Sequence, residues 1–432
     1  MFERLGDCIK DAYARVNYNE DRLPEIAAEF LEKQQLPVES DMGHIARFLL
    51  STEIEQTPKA TFSDLPVIVY RGGGFYIQLL VWQKSTTAIH HHAFSGAFKV
   101  VHGSSIHSRY TFEEQDRISS KLVRGRAKLD SIELLERGAI HQIVPGKQGL
   151  LHALFHIDEP SITVVVRTPY LAWALPQYQI AKPHFAWDER ELGNDDRVRV
   201  LSRVLPAMRG PLGDTHLVDF MVDQVACLDF PRVFALHREI EALLPDEADR
   251  KRFLDALRDR HGEDADRLAD VIRNRTVEAS LINTRYHTAD RDLRFFLAVL
   301  LNAPDATAVH QVIGQRHPGQ DPLELCAEWV ARLGDPETLL DAIVASRTVR
   351  RKSKPRKTLI PRLTDALPKG LSNRATIDFV RELLDGTAPE DLATRLATRH
   401  PDAGISGRGA ELEAAGLSTR ELPELGPLMV DR

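Results

Sequence analysis

The sequence predicts an α+β chain: an antiparallel β-barrel of jelly-roll type, with helices before it and an all-α half after it. Three observations lead there. Residues about 62 to 170 break into eight short apolar segments, many separated by glycine or proline: "PVIVY", "FYIQLLVW", "GAFKVV", "SIHSRYTF", "SIELLERG", "AIHQIV", "LLHALFHI" and "SITVVVRT". That is the texture of short strands joined by tight turns. Ahead of them, "LPEIAAEFLEKQQLP" sets apolar residues at helical spacing between prolines. From about 190 onward, stretches such as "DEADRKRFLDALRDRHGEDADRLADVIRNR" and "DLRFFLAVLLNAP" keep three- and four-residue apolar intervals. At 432 residues the chain exceeds what a single core usually organises. We therefore expect an N-terminal helical segment (1–60) packed on a barrel domain (61–185), and a helical domain (190–432).

Composition narrows the function classes. Hydrophobic content of 43% and charged content of 28% are those of a soluble globular protein. A net charge of −7 argues against a dedicated nucleic-acid binder, so no nucleic-acid partner is expected. Cys8, Cys227 and Cys326 are few, odd in number and far apart, which provides no disulfide framework and fits a reducing cytoplasm. The start of the chain is charged throughout, unlike a secretory leader, and no apolar run is long enough to span a bilayer. A cytoplasmic protein without a membrane partner is the expectation.

The helical half carries a weak repeat. "FLAVLLNAPDATAVHQVIGQRHPG" (296–319) and "FVRELLDGTAPEDLATRLATRHPD" (379–402) match at Phe, Leu-Leu and Arg-His-Pro, and "IEALLPDEADRKRFLDALRDRHG" (240–262) is a looser copy. Such segments predict stacked helical hairpins. His261, His317 and His400 then fall where each second helix ends, a place for capping a helix dipole. "RTVRRKSKPRKTLIPR" (347–362), with eight basic residues and no acidic one, reads as a solvated loop or as a contact for an anion or partner.

The chemical signal lies in the histidines. Eight of the seventeen fall between residues 90 and 156. In an extended segment alternate side chains share a face, so His90 and His92 of "IHHHAF" can reach one divalent ion while His91 turns elsewhere. A third ligand must come from another strand. "PGKQGLLHALFH" offers His152 and His156, about 13 Å apart along a strand and so unable to share one ion. His152, nearer the turn, is the better candidate. Folding a hairpin about residues 146–147 sets His141 opposite His152, as a supporting group or a fourth ligand. His102 and His107 read as surface or substrate-pocket residues.

These motifs resemble the cupin superfamily. His90-x-His92, three residues, Gly96, six residues and Gly103 resembles its first motif, with Gly96 where that motif usually has a glutamate ligand. "GLLH" with His152 resembles the second, although His156 replaces a later asparagine. The resemblance covers about 110 residues. Within cupins, "LLVWQKSTTAIHHHAFSGAFKVVHG" and "DEPSITVVVRTP" look most like the cysteine dioxygenase group. That resemblance implies Fe(II) on the three neutral histidines His90, His92 and His152, with dioxygen as co-substrate. It also implies that Gly96 stands where some members carry a crosslinked cysteine, and that Arg71 of "VYRGGG" pairs with a substrate carboxylate. The group's Ser-His-Tyr relay would fall on Thr163, Val165 and Arg167, so its histidine and tyrosine are missing here.

Three neutral imidazoles leave an ion's charge uncompensated and coordination positions open, which suits an anionic chelating substrate and then dioxygen. Zinc with three histidines and a water is the competing choice and would favour hydrolysis or hydration. The expected function is an Fe(II)-dependent oxygenase of a small anionic metabolite such as a thiol or amino-acid derivative. His90, His92 and His152 would bind the metal, Arg71 and Arg167 would hold the anion, and His141 would orient a ligand or relay a proton. The alternative is a cupin that binds a metal or ligand without turnover and whose helical domain docks a partner protein or a second copy of the chain.

Overall fold

The structure, a computed structural model, describes residues 1–34, 42–56, 63–83, 87–193, 195–244, 246–334, 359–369, 371–401, 405 and 422–428. The chain forms two compact units, the first comprising residues 1–131 and 135–276, the second residues 132–134 and 277–432.

The first unit opens with helices α1 (Phe2–Arg15), α2 (Leu23–Lys33) and α3 (Met42–Ser51). Ten strands follow: β1 (Leu65–Gly72), β2 (Phe75–Trp82), β3 (Gly96–His102), β4 (Ser105–Ser119), β5 (Leu122–Leu135), β6 (Ile140–Ile143), β7 (His152–His156), β8 (Ser161–Arg167), β9 (Gln179–Ala181) and β10 (Phe185–Trp187). They form two five-stranded antiparallel sheets of jelly-roll type, ordered β1-β2-β8-β3-β6 and β7-β4-β5-β10-β9.

Strand β8 sits at the centre of the first sheet, between β2 and β3, and all seven of its residues are buried. Burial on both faces requires apolar residues at nearly every position, hence "SITVVVR". Val164 and Val166 pack under Leu5, Ile9, Leu23 and Leu31 of α1 and α2, while Val165 joins Leu80, Phe98 and Leu154 in a separate cluster between the sheets. The N-terminal helices thus cover one face of this sheet and the barrel interior lies against the other.

The sequence reading finds eight strands where the described residues form ten, and it shortens two of them. The hairpin of β4 and β5 runs through "EEQDRISSKLVRGRAKLD", whose charges hide it because its outer end is largely exposed. β9 and β10 are three residues each and lie amid prolines, too short to leave a periodic signal.

Helices α4 (Glu189–Gly193), α5 (Asp196–Phe220), α6 (Phe230–Ala235), α7 (His237–Leu243), α8 (Glu247–His261) and α9 (Glu263–Tyr286) follow the barrel. Leu122, Phe185 and Trp187 of the second sheet share a core with Leu217, Phe230, Phe234, Leu257 and Leu268. An ion pair reinforces that junction: Arg124 on β5 donates from Nε to Oδ1 and from Nη2 to Oδ2 of buried Asp264, both at 2.7 Å. Bidentate pairing of this kind is strong and geometrically specific.

The second unit holds α10 (Arg291–Asn302), α11 (Ala306–Arg316), α12 (Pro322–Leu333), α13 (Leu359–Ala366), α14 (Asn373–Leu384) and α15 (Pro389–Arg399). Asp290, Asp305, Asp321 and Ser372 cap the helices that follow them by accepting from backbone N–H groups. Phe295, Phe296 and Trp329 anchor its interior. The three matching sequence segments form helix pairs α7–α8, α10–α11 and α14–α15. His261, His317 and His400 fall at the ends of the second helices. Their rings reach other elements: His261 donates to Leu228 O at 2.9 Å, His400 pairs with Asp378 at 2.6 Å, and His317 packs on Phe295 and Trp329. Of the basic stretch, residues 347–358 lie outside the described residues. No helix among those described is long and apolar enough to cross a membrane.

Replacing Arg124 by alanine strips Asp264 of its bidentate donor. The expected cost is about 2–3 kcal/mol, read as a lower urea midpoint with an unchanged slope.

Candidate metal centre

His90, His92 and His152 come together inside the barrel, each buried, with one ring nitrogen from each within 4.8 Å of the others. Their ring centroids lie 4.6 Å (His90–His92), 5.0 Å (His90–His152) and 4.8 Å (His92–His152) apart. The backbone enforces this. His90 N donates to His152 O at 2.9 Å and His152 N donates to His90 O at 3.1 Å, so the two residues face one another as a pair. Residue 90 also bridges to Gln179, which threads "IHHH" between β7 and β9. His92 is held by Gly146 N, which donates to its carbonyl at 2.8 Å.

Each ring is also fixed from behind. His90 Nδ1 lies 2.8 Å from Ala88 O and His92 Nδ1 lies 3.3 Å from Leu150 O. A carbonyl only accepts, so in both rings Nδ1 carries the proton and Nε2 keeps its lone pair. His152 Nδ1 lies 2.9 Å from Nε2 of His107, a nitrogen that either donates or accepts. Burial holds the rings neutral. It pushes His90 and His91 down to about 4, and His92 and His152 well below the usual imidazole value. Neutral imidazoles offering Nε2 are the donor set that Zn, Fe and related divalent ions accept. Among the described residues no carboxylate joins the three histidines.

The cavity beside them is lined by His90, His92, His152, Trp82, Phe94, Phe98 and, from β8, Thr163, Val165 and Arg167. Thr163, Val165 and Arg167, the positions to which the resemblance gives a relay, therefore line the site. Arg167 is its one charged lining residue among those described. The guanidinium is buried, lies 3.4 Å from the Phe94 ring centroid and 4.9 Å from that of Tyr170, and donates from Nε to Thr168 O at 3.2 Å. Its Nη2 is buried without a hydrogen-bond partner. Burial lowers the Arg167 pKa, opposed by Tyr76 and Tyr170. Trp82 Nε1 donates to Thr163 Oγ1 at 3.2 Å, and the Trp82 ring stacks on His156 at 4.2 Å.

At Gly96, where the resemblance expects a glutamate ligand, packing leaves no room for a side chain. A Cβ there would stand 1.9 Å from the carbonyl oxygen of Val166. β3 runs so close to β8 that no side chain fits without moving the backbone.

Several sequence expectations are corrected. β6 and β7 are not hairpin partners: β6 pairs with β3, placing His141 opposite Phe98, and β7 pairs with β4. His141 is half-buried, stacks on Phe98 at 5.5 Å and does not line the cavity. Arg71 lies on β1, exposed, with its guanidinium 5.5 Å from the Tyr76 ring, and does not line the cavity either. His107, expected at the surface or in the pocket, is wholly buried beside His152 and does not line the cavity. His91 is buried outside the group of three. His107 is the residue that sequence reasoning missed; its place beside His152 follows from the register of β4 on β7, which no local spacing signals.

No protein-family model matches the sequence, and no curated protein matches it. Among solved structures the chain is similar to a cupin-2 domain protein from Shewanella frigidimarina NCIMB 400, with 15% identity over 29% of this chain and 92% of that one, at a TM-score of 0.18. It is also similar to a structure of oxalate oxidase, with 15% identity over 31% of this chain and 57% of that one, at a TM-score of 0.18. Likeness at this level says nothing of activity, which must be argued from the site.

Rings held neutral by burial make metal-free protein acid-sensitive. His90 and His91 titrate near 4 when folded and near the ordinary value of 6.5 when unfolded. Between those values the unfolded chain binds more protons, so stability falls as pH falls from 6.5 toward 4. The loss is about 3 kcal/mol for each ring. Chelator-treated His90→Gln protein is expected to show a shallower decline of Tm with pH over that window than the parent.

Proposed function

We propose that the barrel is a cupin-type metal centre in which His90, His92 and His152 hold a divalent ion, Fe(II) by preference, and Arg167 holds the anionic end of a small substrate oxidised by dioxygen. The observation that carries this reading is the convergence of three buried imidazole rings on a cavity that also contains an incompletely bonded guanidinium. Bound there, Fe(II) would supply electrons to dioxygen, a chemistry that side chains alone lack.

The chain's own residues do the rest. Arg167 Nη2 donates to a carboxylate and fixes its direction. Phe94 beneath the guanidinium confines it to that plane. Leu80, Phe98, Val165 and Leu154 keep water out, which strengthens each charge contact. The charges also select among ligands. A divalent ion on neutral rings plus Arg167 is strongly positive, and among the described residues no acidic side chain lines the cavity. A ligand with a carboxylate and a second ionisable donor such as a thiol or hydroxyl balances that charge; an added ammonium group would have no counter-ion. We therefore rank small ammonium-free acids above amino acids. The competing reading is binding without turnover, with the helical domain docking a partner. It is favoured by Val165, which offers no acid or base where the relay would have its histidine.

Metal analysis of anaerobically purified protein, with oxygen uptake over matched thiol acids, hydroxy acids and amino acids, separates these readings. The oxygenase reading expects iron near one per chain and uptake with an ammonium-free acid. Bound metal with no uptake across the panel leaves the binding reading, and no metal ends both. His92→Ala is expected to lose the metal. Arg167→Met is expected to keep it while the concentration of acid needed for half-saturation rises roughly 10- to 100-fold.

A further inference from the structure

We infer that His107 is a positioning residue for the metal centre: it sets the tautomer and ring orientation of His152 by accepting a hydrogen bond from His152 Nδ1–H. The inference rests on the metal-site reading above, and it concerns a residue that does not line the cavity.

The strand pairing puts the two rings in reach. β4 and β7 run antiparallel with His107 opposite Leu154 and Arg109 opposite His152. His107 and His152 are therefore diagonal neighbours on the same face, a separation that ring side chains can bridge. Their rings meet edge to face, with centroids 5.0 Å apart and planes at 89°, which aligns Nε2 of His107 with Nδ1 of His152 at 2.9 Å. Phe98 packs against both rings and His141 lies 4.6 Å from the His107 ring.

His152 differs from its two companions in one respect. The Nδ1 atoms of His90 and His92 face carbonyls, which can only accept, so their tautomers are fixed by the backbone. The Nδ1 of His152 faces another imidazole nitrogen, which either donates or accepts. Only when His107 Nε2 accepts does His152 carry its proton on Nδ1 and present a bare Nε2 to the group. If His107 Nε2 carried the proton, His152 Nδ1 would accept and Nε2 would hold the hydrogen, which blocks coordination. The third lone pair thus depends on the state of a residue one step removed, and partners behind ligand histidines typically contribute about 10- to 100-fold in metal affinity.

The test compares His107→Leu, which removes the acceptor, with His107→Gln, whose side-chain oxygen can replace Nε2 as acceptor. The probe is Co(II) alone, titrated by its visible absorption. We expect the dissociation constant to rise about 10- to 100-fold in His107→Leu and to stay within a few-fold of the parent in His107→Gln. In metal-free parent protein, nitrogen-15 histidine spectra should show His152 protonated at Nδ1. Equal Co(II) affinity in all three proteins, or His152 protonated at Nε2, overturns the inference. Should His107→Leu not fold, the tautomer of His152 in the parent, together with its retention in His107→Gln, decides. Parent protein that binds no Co(II) would instead end the metal-site reading, while the tautomer measurement still decides the direction of the His107 bond.

Discussion

The site depends on hydrogen bonds made on the far side of each imidazole. A neutral ring has one donor nitrogen and one acceptor nitrogen, and the acceptor is useful only if the donor is satisfied elsewhere. Ala88 O and Leu150 O take the donors of His90 and His92. Three unprotonated nitrogens can then stand close together in an apolar interior, an arrangement that a charged ring would disrupt. Burial and tautomer act in one direction here. The rings resist protonation because they are buried, and carbonyls behind His90 and His92 and an imidazole behind His152 hold their orientation.

β8 divides the molecule's labour. Its even positions face the N-terminal helices and its odd positions face the cavity, so one strand serves as core wall and as site. The same closeness that buries β8 forbids a side chain at Gly96. Packing of β3 against β8 therefore leaves no room for a side chain at Gly96, the position to which the resemblance gives a carboxylate ligand. Stability of the sheet and composition of the site are one constraint.

Local patterns in the sequence carry much of this, and long-range pairing carries the rest. His90 and His92 can be assigned to one face because a two-residue spacing is a local fact. His152 can be chosen over His156 because a strand's length limits reach. The strand partner of His141, by contrast, is not a local fact. Proximity across the turn at 146–147 suggested a hairpin, whereas β6 and β7 joined different sheets. Arg71 belongs to a glycine-rich turn that looks like a binding loop, and its side chain is exposed on β1. His107 escapes notice because its importance lies in the register of β4 on β7, which no single segment encodes.

Arg167 stands at the position to which the resemblance gives the tyrosine of a relay. A tyrosine at this point could exchange a proton; a guanidinium holds its proton throughout the ordinary pH range. With Val165 beside it, this wall of the cavity is suited to holding charge and poorly suited to moving protons. Proton transfer, if the reaction needs it, must then run through the substrate's own ionisable groups or through water, and Thr163 is occupied by Trp82. A ligand that is already deprotonated when it enters the cavity would suit such a wall. An acidic chelator fits this requirement, because binding to a cation in a positively charged cavity itself lowers the pKa of the second donor. The arginine would thus serve two ends, fixing the carboxylate and favouring the anionic form of the group that meets the metal.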